Sequence, residues 1–180
     1  MIKETDVIHQ VLNGDVDSFR LLVQRYQRPV ISMIKNIIND QHMCEDVAQD
    51  VFLTAYKKLD SFDPARSNFS TWLFTIAKNK SLNVLKKKRA LSMSQLPEKT
   101  DSRNPSDELG EKELFDELDR ILQTLPVRQK TAFVLAEFEK LPYAEIAQIE
   151  GVRIGTIKSR INRAKRKLSS ALENLDGDIL

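Results

Sequence analysis

Residues 151–168 read GVRIGTIKSRINRAKRKL. The stretch holds seven cations, Arg153, Lys158, Arg160, Arg163, Lys165, Arg166 and Lys167, and no acid. An α-helix advances about 100° per residue, so with Ile157 at zero, Ile161, Ala164 and Leu168 fall within about 40° of it. Lys158, Ser159, Asn162, Arg163 and Arg166 fall on the opposite side, between about 100° and 240°. One edge is a narrow apolar seam. The other carries side chains that bond base edges and phosphates: arginine can bond guanine bidentately, asparagine can bond adenine, and every cation neutralises phosphate charge.

The preceding residues, YAEIAQIEGV, have the features of a helix-turn-helix. Tyr143, Ile146 and Ala147 would lie on its first helix, with the small Ala147 where two helices cross. Gly151 stands at the turn, where a positive φ is often required, and Val152 would plug the core behind it. A basic amphipathic helix that merely binds a protein or a membrane has no need of that arrangement. A DNA-reading helix is the stronger reading.

The whole chain has 28 Lys plus Arg against 26 Asp plus Glu, a formal charge of +2 over 180 residues. That balance hides segregation. Pro64 to Pro97 contains seven bases and no acid, and Glu98 to Glu117 contains eight acids against three bases. Two basic surfaces separated by an acidic stretch suggest two nucleic-acid contacts, although either run alone could be a solvated face. At 41% hydrophobic and 30% charged, the chain can build packed cores. It has no apolar run near the about 20 residues that span a bilayer, and its first residues lack a signal-peptide pattern. The single cysteine, Cys44, allows no internal disulfide and fits a reducing cytoplasm.

The residues from Leu91 to Gly110, LSMSQLPEKTDSRNPSDELG, carry two prolines and four serines but no helical apolar stripe, which marks a flexible acidic linker. It divides the chain into domains at 1–90 and 111–180. Neither side shows period-two alternation, so the expected fold is all-α. Helices are expected at about Thr5–Asn13, from Asp17 or Ser18 with a kink or split at Pro29, then Val30–Ile38, Glu45–Leu59 and Ser70–Arg89. Others should cover Glu111–Leu125 and, after a break at Pro126, continue to about Glu139.

In the first domain, SFDPARSNFSTWLFTIAKNKSLNVLKKKR interleaves Phe62, Phe69, Trp72 and Phe74 with cations. Aromatic rings beside cations suit unpaired bases, since stacking contributes roughly 1–3 kcal/mol per base without a partner strand. Trp72 at helical spacing with Leu73 and Ile76 also fits a core. Asn79 is harder to place there, because a buried amide requires partners. Upstream, EDVAQDVFLTAY sets Asp46, Gln49 and Asp50 on one helix side, a face that would repel DNA and better suits a protein.

Three segments, EDVAQDVFLTAY, FSTWLFTIAKN and LPVRQKTAFVLAEFEKLPYAEIAQIEGVRIGTIKSRINRAKRKL, together resemble bacterial RNA polymerase sigma factors of the extracytoplasmic-function type. The resemblance covers nearly the whole chain. It implies a sigma-2 helical bundle at 1–90, a linker at 91–110 and a sigma-4 helix-turn-helix domain at 111–180. Such factors bind core RNA polymerase, read the −35 element as duplex and capture the melted −10 element. By motif position, Asp46, Gln49 and Asp50 would face the polymerase clamp helices. Ser67, Asn68, Phe69 and Ser70 would form part of the loop at the −10 site, and Asn79 would line a pocket for an unstacked base. Trp72, Lys78 and Lys80 would belong to the same site, while Lys86, Lys87, Lys88 and Arg89 would touch upstream backbone. Lys158, Ser159, Asn162, Arg163 and Arg166 would meet the −35 major groove.

The resemblance further implies a stress-responsive factor, cytoplasmic, with no cofactor and no catalysis of its own. It also implies an anti-sigma partner, often membrane-anchored, that covers the polymerase- and DNA-binding faces. Pro142 stands where a capping hydroxyl is common, Glu150 where an apolar residue is common, and Arg153 where Pro or Ser is common. A free-standing helix-turn-helix regulator would leave the first two matched segments without a role. A DNA-processing enzyme would need a nucleophile or clustered ligands, and the chain has only His9 and His42, the latter beside Cys44.

Overall fold

The structure is a computed structural model and describes residues 3–38, 40–94 and 119–177. Within them the regular elements are all helical. The first group comprises α1 (Glu4–Leu12), α2 (Phe19–Ile38), α3 (Gln41–Lys57) and α4 (Phe69–Ser94), with short 3-10 turns at Val16–Ser18 and Leu59–Ser61. The second comprises helical turns at 119–124, then α5 (Val127–Glu137), α6 (Tyr143–Glu150) and α7 (Ile154–Gly177). Most of the expected linker lies outside the described residues; its first four residues, 91–94, belong to α4.

Local chemistry sets most boundaries. Gly14, at φ 101°, turns the chain out of α1, and Asp15 accepts the backbone N–H of Ser18 to start the next turn. Asp40 caps α3 by accepting from Met43, so α3 starts at Gln41, four residues before the expected Glu45. Pro126 and Pro142 precede α5 and α6 without offering a side-chain cap. Gly151, at φ 66° and ψ 37°, supplies the left-handed residue that ends α6.

Of the kink or split expected at Pro29, the split does not occur: α2 runs unbroken from Phe19 to Ile38. A proline inside a helix leaves the carbonyl four residues earlier without its bond. Here Leu22 on one side and Val30, Met33, Ile34 and Ile37 on the other are all buried, so packing on both halves holds one helix together.

In the first group α2, α3 and α4 pack pairwise, and Val47, Val51, Ala55 and Leu59 are buried at the four-residue spacing their sequence shows. In the second, α5 and α6 both pack on α7. The two groups also touch: α2 lies against α5, and α4 against α6. One hydrophobic cluster therefore runs from Val7 through Met33 and Phe69 to Leu135, Ile149 and Ile161. A smaller one joins Ile121, Leu122 and Leu125 to Ala164 and Leu168 of α7.

Candidate nucleic-acid interface

On α7, Ile157, Ile161 and Ala164 are fully buried and Leu168 nearly so, while Lys158, Ser159, Asn162, Arg163 and Arg166 are exposed. The apolar seam and polar edge read from the sequence are thus both real. Burying each isoleucine stabilises the unit by about 1.5–3 kcal/mol, which fixes the rotation of the helix and so aims its far side outward.

The cations of this segment divide by partner. Arg160 donates to Glu150 at 2.8 Å in a pair that is nearly buried, and Lys165 meets Glu137 of α5 at 2.8 Å. That carboxylate raises the Lys165 ammonium above its ordinary range. Lys158, Arg163, Arg166 and Lys167 make no ion pair among the described residues. Two grooves flank them. Ser159, Asn162, Arg163, Lys165 and Arg166 line one, and Gln129, Arg163, Arg166, Lys167 and Ser170 the other. The cations left without a protein anion are the ones available to phosphate and base edges. Glu150, out of place as an apolar position, has its explanation in Arg160.

A second face is built on the start of α4 and the loop before it. Asp63 shapes that loop by accepting the N–H of Ala65 at 2.9 Å and, through its carbonyl, that of Arg66 at 3.1 Å. Ser61, Asp63, Arg66, Ser67, Thr71, Trp72 and Thr75 line a cleft that Gln148 of α6 closes from the other side. Trp72 is partly buried, with its ring 5.5 Å from that of Phe62 and 5.6 Å from that of Phe69. It is therefore both core and lining. Tyr26 completes the aromatic floor, 5.6 Å from Phe69. Burial and the Glu4 carboxylate, to which its hydroxyl donates, hold the Tyr26 phenol well above its usual range.

The sequence-named residues fall around this face unevenly. Phe69 and Ser70, expected in the loop, are the first residues of α4, and Phe69 is 1% exposed, so it supports the floor from beneath. Ser67 and Asn68 do lie in the loop. Asn79 is exposed, one turn beyond Thr75, which itself follows Thr71 by one turn. Thr71 and Thr75 were missed; a stripe of short polar residues stepping back by four from Asn79 was the signal for them. Lys78 is not free, because its ammonium donates to the Ile149 carbonyl of α6. Lys80 pairs with Asp50 at 3.2 Å, and Lys88 with Asp40 at 3.4 Å. Lys86 and Lys87 are exposed, with Arg89 following on the same helix.

A third face lies on α3. Asp46, Gln49 and Asp50 are exposed together and line a groove with Met43, Val47, Leu53 and Val84. Leu53 is 50% exposed, so an apolar strip borders the acids. Among the described residues, no group of three or more His, Cys, Asp or Glu side chains is placed to hold a metal. Cys44 is buried, and burial raises its thiol. No described helix is long and apolar enough to cross a membrane.

Two helical units, one ending in a helix-turn-helix with a free cationic edge, define a two-part nucleic-acid-binding protein. A Sigma-70 region 2 family model matches residues 22–91 and a Sigma-70, region 4 model matches residues 115–168. The chain is 33% identical to the ECF RNA polymerase sigma factor SigW of Bacillus subtilis over 97% of its length and 98% of that protein's. It is 32% identical to the ECF RNA polymerase sigma-E factor of Escherichia coli K12, covering 94% of each. The sigma factor RpoE of Bartonella quintana, solved in complex with the anti-sigma factor NepR, matches with a TM-score of 0.74 and 26% identity. That match covers 86% of this chain and 96% of RpoE. The chain belongs to the extracytoplasmic-function RNA polymerase sigma factors.

Proposed function

We propose that this sigma factor directs core RNA polymerase to a subset of promoters by dividing recognition between two faces. The free cationic edge of α7 sets register on the duplex −35 element through Lys158, Ser159, Asn162, Arg163 and Arg166. The loop and start of α4, with Ser67, Asn68, Trp72 and Asn79, hold the opened −10 strand, and Lys86–Arg89 contact backbone upstream. The acidic, leucine-bordered face of α3 meets the polymerase through Asp46, Gln49 and Asp50. Domains at 1–90 and 111–180 fit this division, and catalysis belongs to the polymerase.

The observation that carries this reading is the sorting of cations on α7. Those tied to Glu137 and Glu150 serve the fold, and those facing outward make no ion pair among the described residues. Anti-sigma restraint is part of the proposal, supported by the likeness to RpoE solved with NepR, and it would place the resting factor in the cytoplasm beside its inhibitor. Run-off transcription with purified core enzyme tests the function: the chain should produce promoter-dependent transcripts. Absence of stimulation at every native promoter would overturn it.

A further inference from the structure

Among the described residues, one buried side-chain polar atom has no hydrogen-bond partner: Oε1 of Gln129, in the first turn of α5. The polar groups around it are satisfied. The Gln129 backbone N–H donates to the Pro126 carbonyl at 2.8 Å, Lys130 donates to Gln123 at 2.6 Å, and the Thr131 hydroxyl donates to the Val127 carbonyl at 2.9 Å. A shielded acceptor without a donor has lost its hydration for no bond in return, so a donor that reaches it gains more than a surface bond would. Gln129 faces α7 across a groove that Arg163, Arg166, Lys167, Ser170 and Ala171 also line. On the scale that puts Ile157 at zero, Ser170 lies at about 220°, Lys167 at about 280° and Ala171 at about 320°. Arg163, at about 240°, stands in the middle of that flank, and Arg166, at about 180°, at its outer margin. Lys167 takes no part in the neighbouring groove of Ser159 and Asn162, which Arg163 does line. Of the three cations, only Arg163 is both central here and on the reading edge.

We propose that Gln129 is a positioning residue for Arg163, its amide oxygen accepting from the guanidinium while that side chain reads a −35 base edge. This rests on the reading of α7 as the −35 face. A guanidinium carries five N–H donors in one plane and no acceptor, and a bidentate contact with a base uses two of them. A bond from a third to Gln129 fixes the plane of the fork, which a long side chain held only at its base-contacting end does not. The terminal torsion of glutamine is soft and roughly twofold, so the amide can turn its oxygen into the groove at little cost. In the free protein that oxygen is unpartnered; on the duplex it acquires its donor. The carboxamide is neutral, so it orients the cation without cancelling the charge that draws it to DNA. Glu137 and Glu150, in contrast, neutralise Lys165 and Arg160.

The test is a double-mutant cycle on the full chain, with Gln129→Met, Arg163→Ala and the two together. A randomised duplex library selected by the wild-type chain supplies the preferred −35 duplex, and the same duplex with those bases shuffled supplies the reference. Fluorescence anisotropy reads the ratio of the two affinities. Gln129→Met should lower that ratio about fivefold, yet change it little when Arg163 is already alanine. Gln129→Glu, which keeps an acceptor at that place, should preserve the ratio although it weakens binding to both duplexes. Urea unfolding should find Gln129→Met no less stable than wild type, because methionine has a similar shape and no acceptor to leave unpaired. A ratio unchanged by Gln129→Met, or equal losses with and without Arg163, would overturn the positioning and leave the −35 reading intact. Discrimination that survives Arg163→Ala would overturn both. Lower stability of Gln129→Met together with a lower ratio would mark a structural role and overturn the inference too. Should Gln129→Met lose helix content, Gln129→Ala, which also lacks the acceptor, carries the same cycle.

Discussion

Individual side chains on α7 have separate duties, and partners decide which. Arg163 lines both grooves beside the free edge, whereas Lys167 lies at one margin. Arg163→Ala should weaken binding to the preferred −35 duplex selectively, by a loss of about 1–3 kcal/mol, and relax sequence choice. Lys167→Ala should weaken all duplexes alike and lower the salt dependence of binding. Unchanged sequence discrimination by the Arg163 variant, in competition assays, would refute that role. Arg160 shares the segment's charge but not its purpose, since its pair with Glu150 is nearly buried. Arg160→Met strands the carboxylate and should cost roughly 3 kcal/mol in urea unfolding. Adding Glu150→Leu should recover most of that loss, because two apolar groups replace a buried pair well.

Among the elements, α3 illustrates how a short-range bond sets both a boundary and a pH response. Asp40 accepts the Met43 N–H, and chiefly for that reason, with help from Lys88, its carboxyl sits below its ordinary value of 3.8. A depressed carboxyl contributes stability that is complete above the ordinary value and disappears as pH falls through the lower one. Asp40→Asn keeps a capping acceptor without the charge. Urea unfolding should therefore find wild type more stable than Asp40→Asn near neutrality, with the gap closing as pH drops below 3.8. A gap independent of pH would show that the charge contributes nothing. The other elements were unequally legible. α6, α7 and the turn between them could be placed from Gly151 and the spacing of Ile157, Ile161, Ala164 and Leu168. α2 was legible in its extent but not at Pro29, which locally argues for a kink or a break; burial of residues on both sides keeps the helix continuous.

At the scale of the whole molecule, the seam between the two units joins them in one hydrophobic cluster. Glu139 follows α5 and rests against Ser32 of α2, and burial lifts its carboxyl above the ordinary 4.5. A carboxyl raised where the two units pack binds its proton more tightly there, so acidification from neutrality toward 4.5 should strengthen that packing through this group. Glu139→Gln should remove that response; scattering profiles of the variant that still contract on acidification as wild type does would rule Glu139 out as its source.

The sequence by itself determined the helical class, the helix-turn-helix and the outward edge of α7. Each depends on interactions within a few turns: periodic burial, a left-handed glycine, a helix repeat. Tertiary structure alone decided that Glu145 meets Asn68 and Thr71, that Lys78 is engaged by Ile149, and that Phe69 is a floor. Those partners stand more than seventy residues apart along the chain, or become buried only when distant helices arrive. No local pattern encodes such a meeting, since the free energy that selects it resides in surfaces formed only after folding.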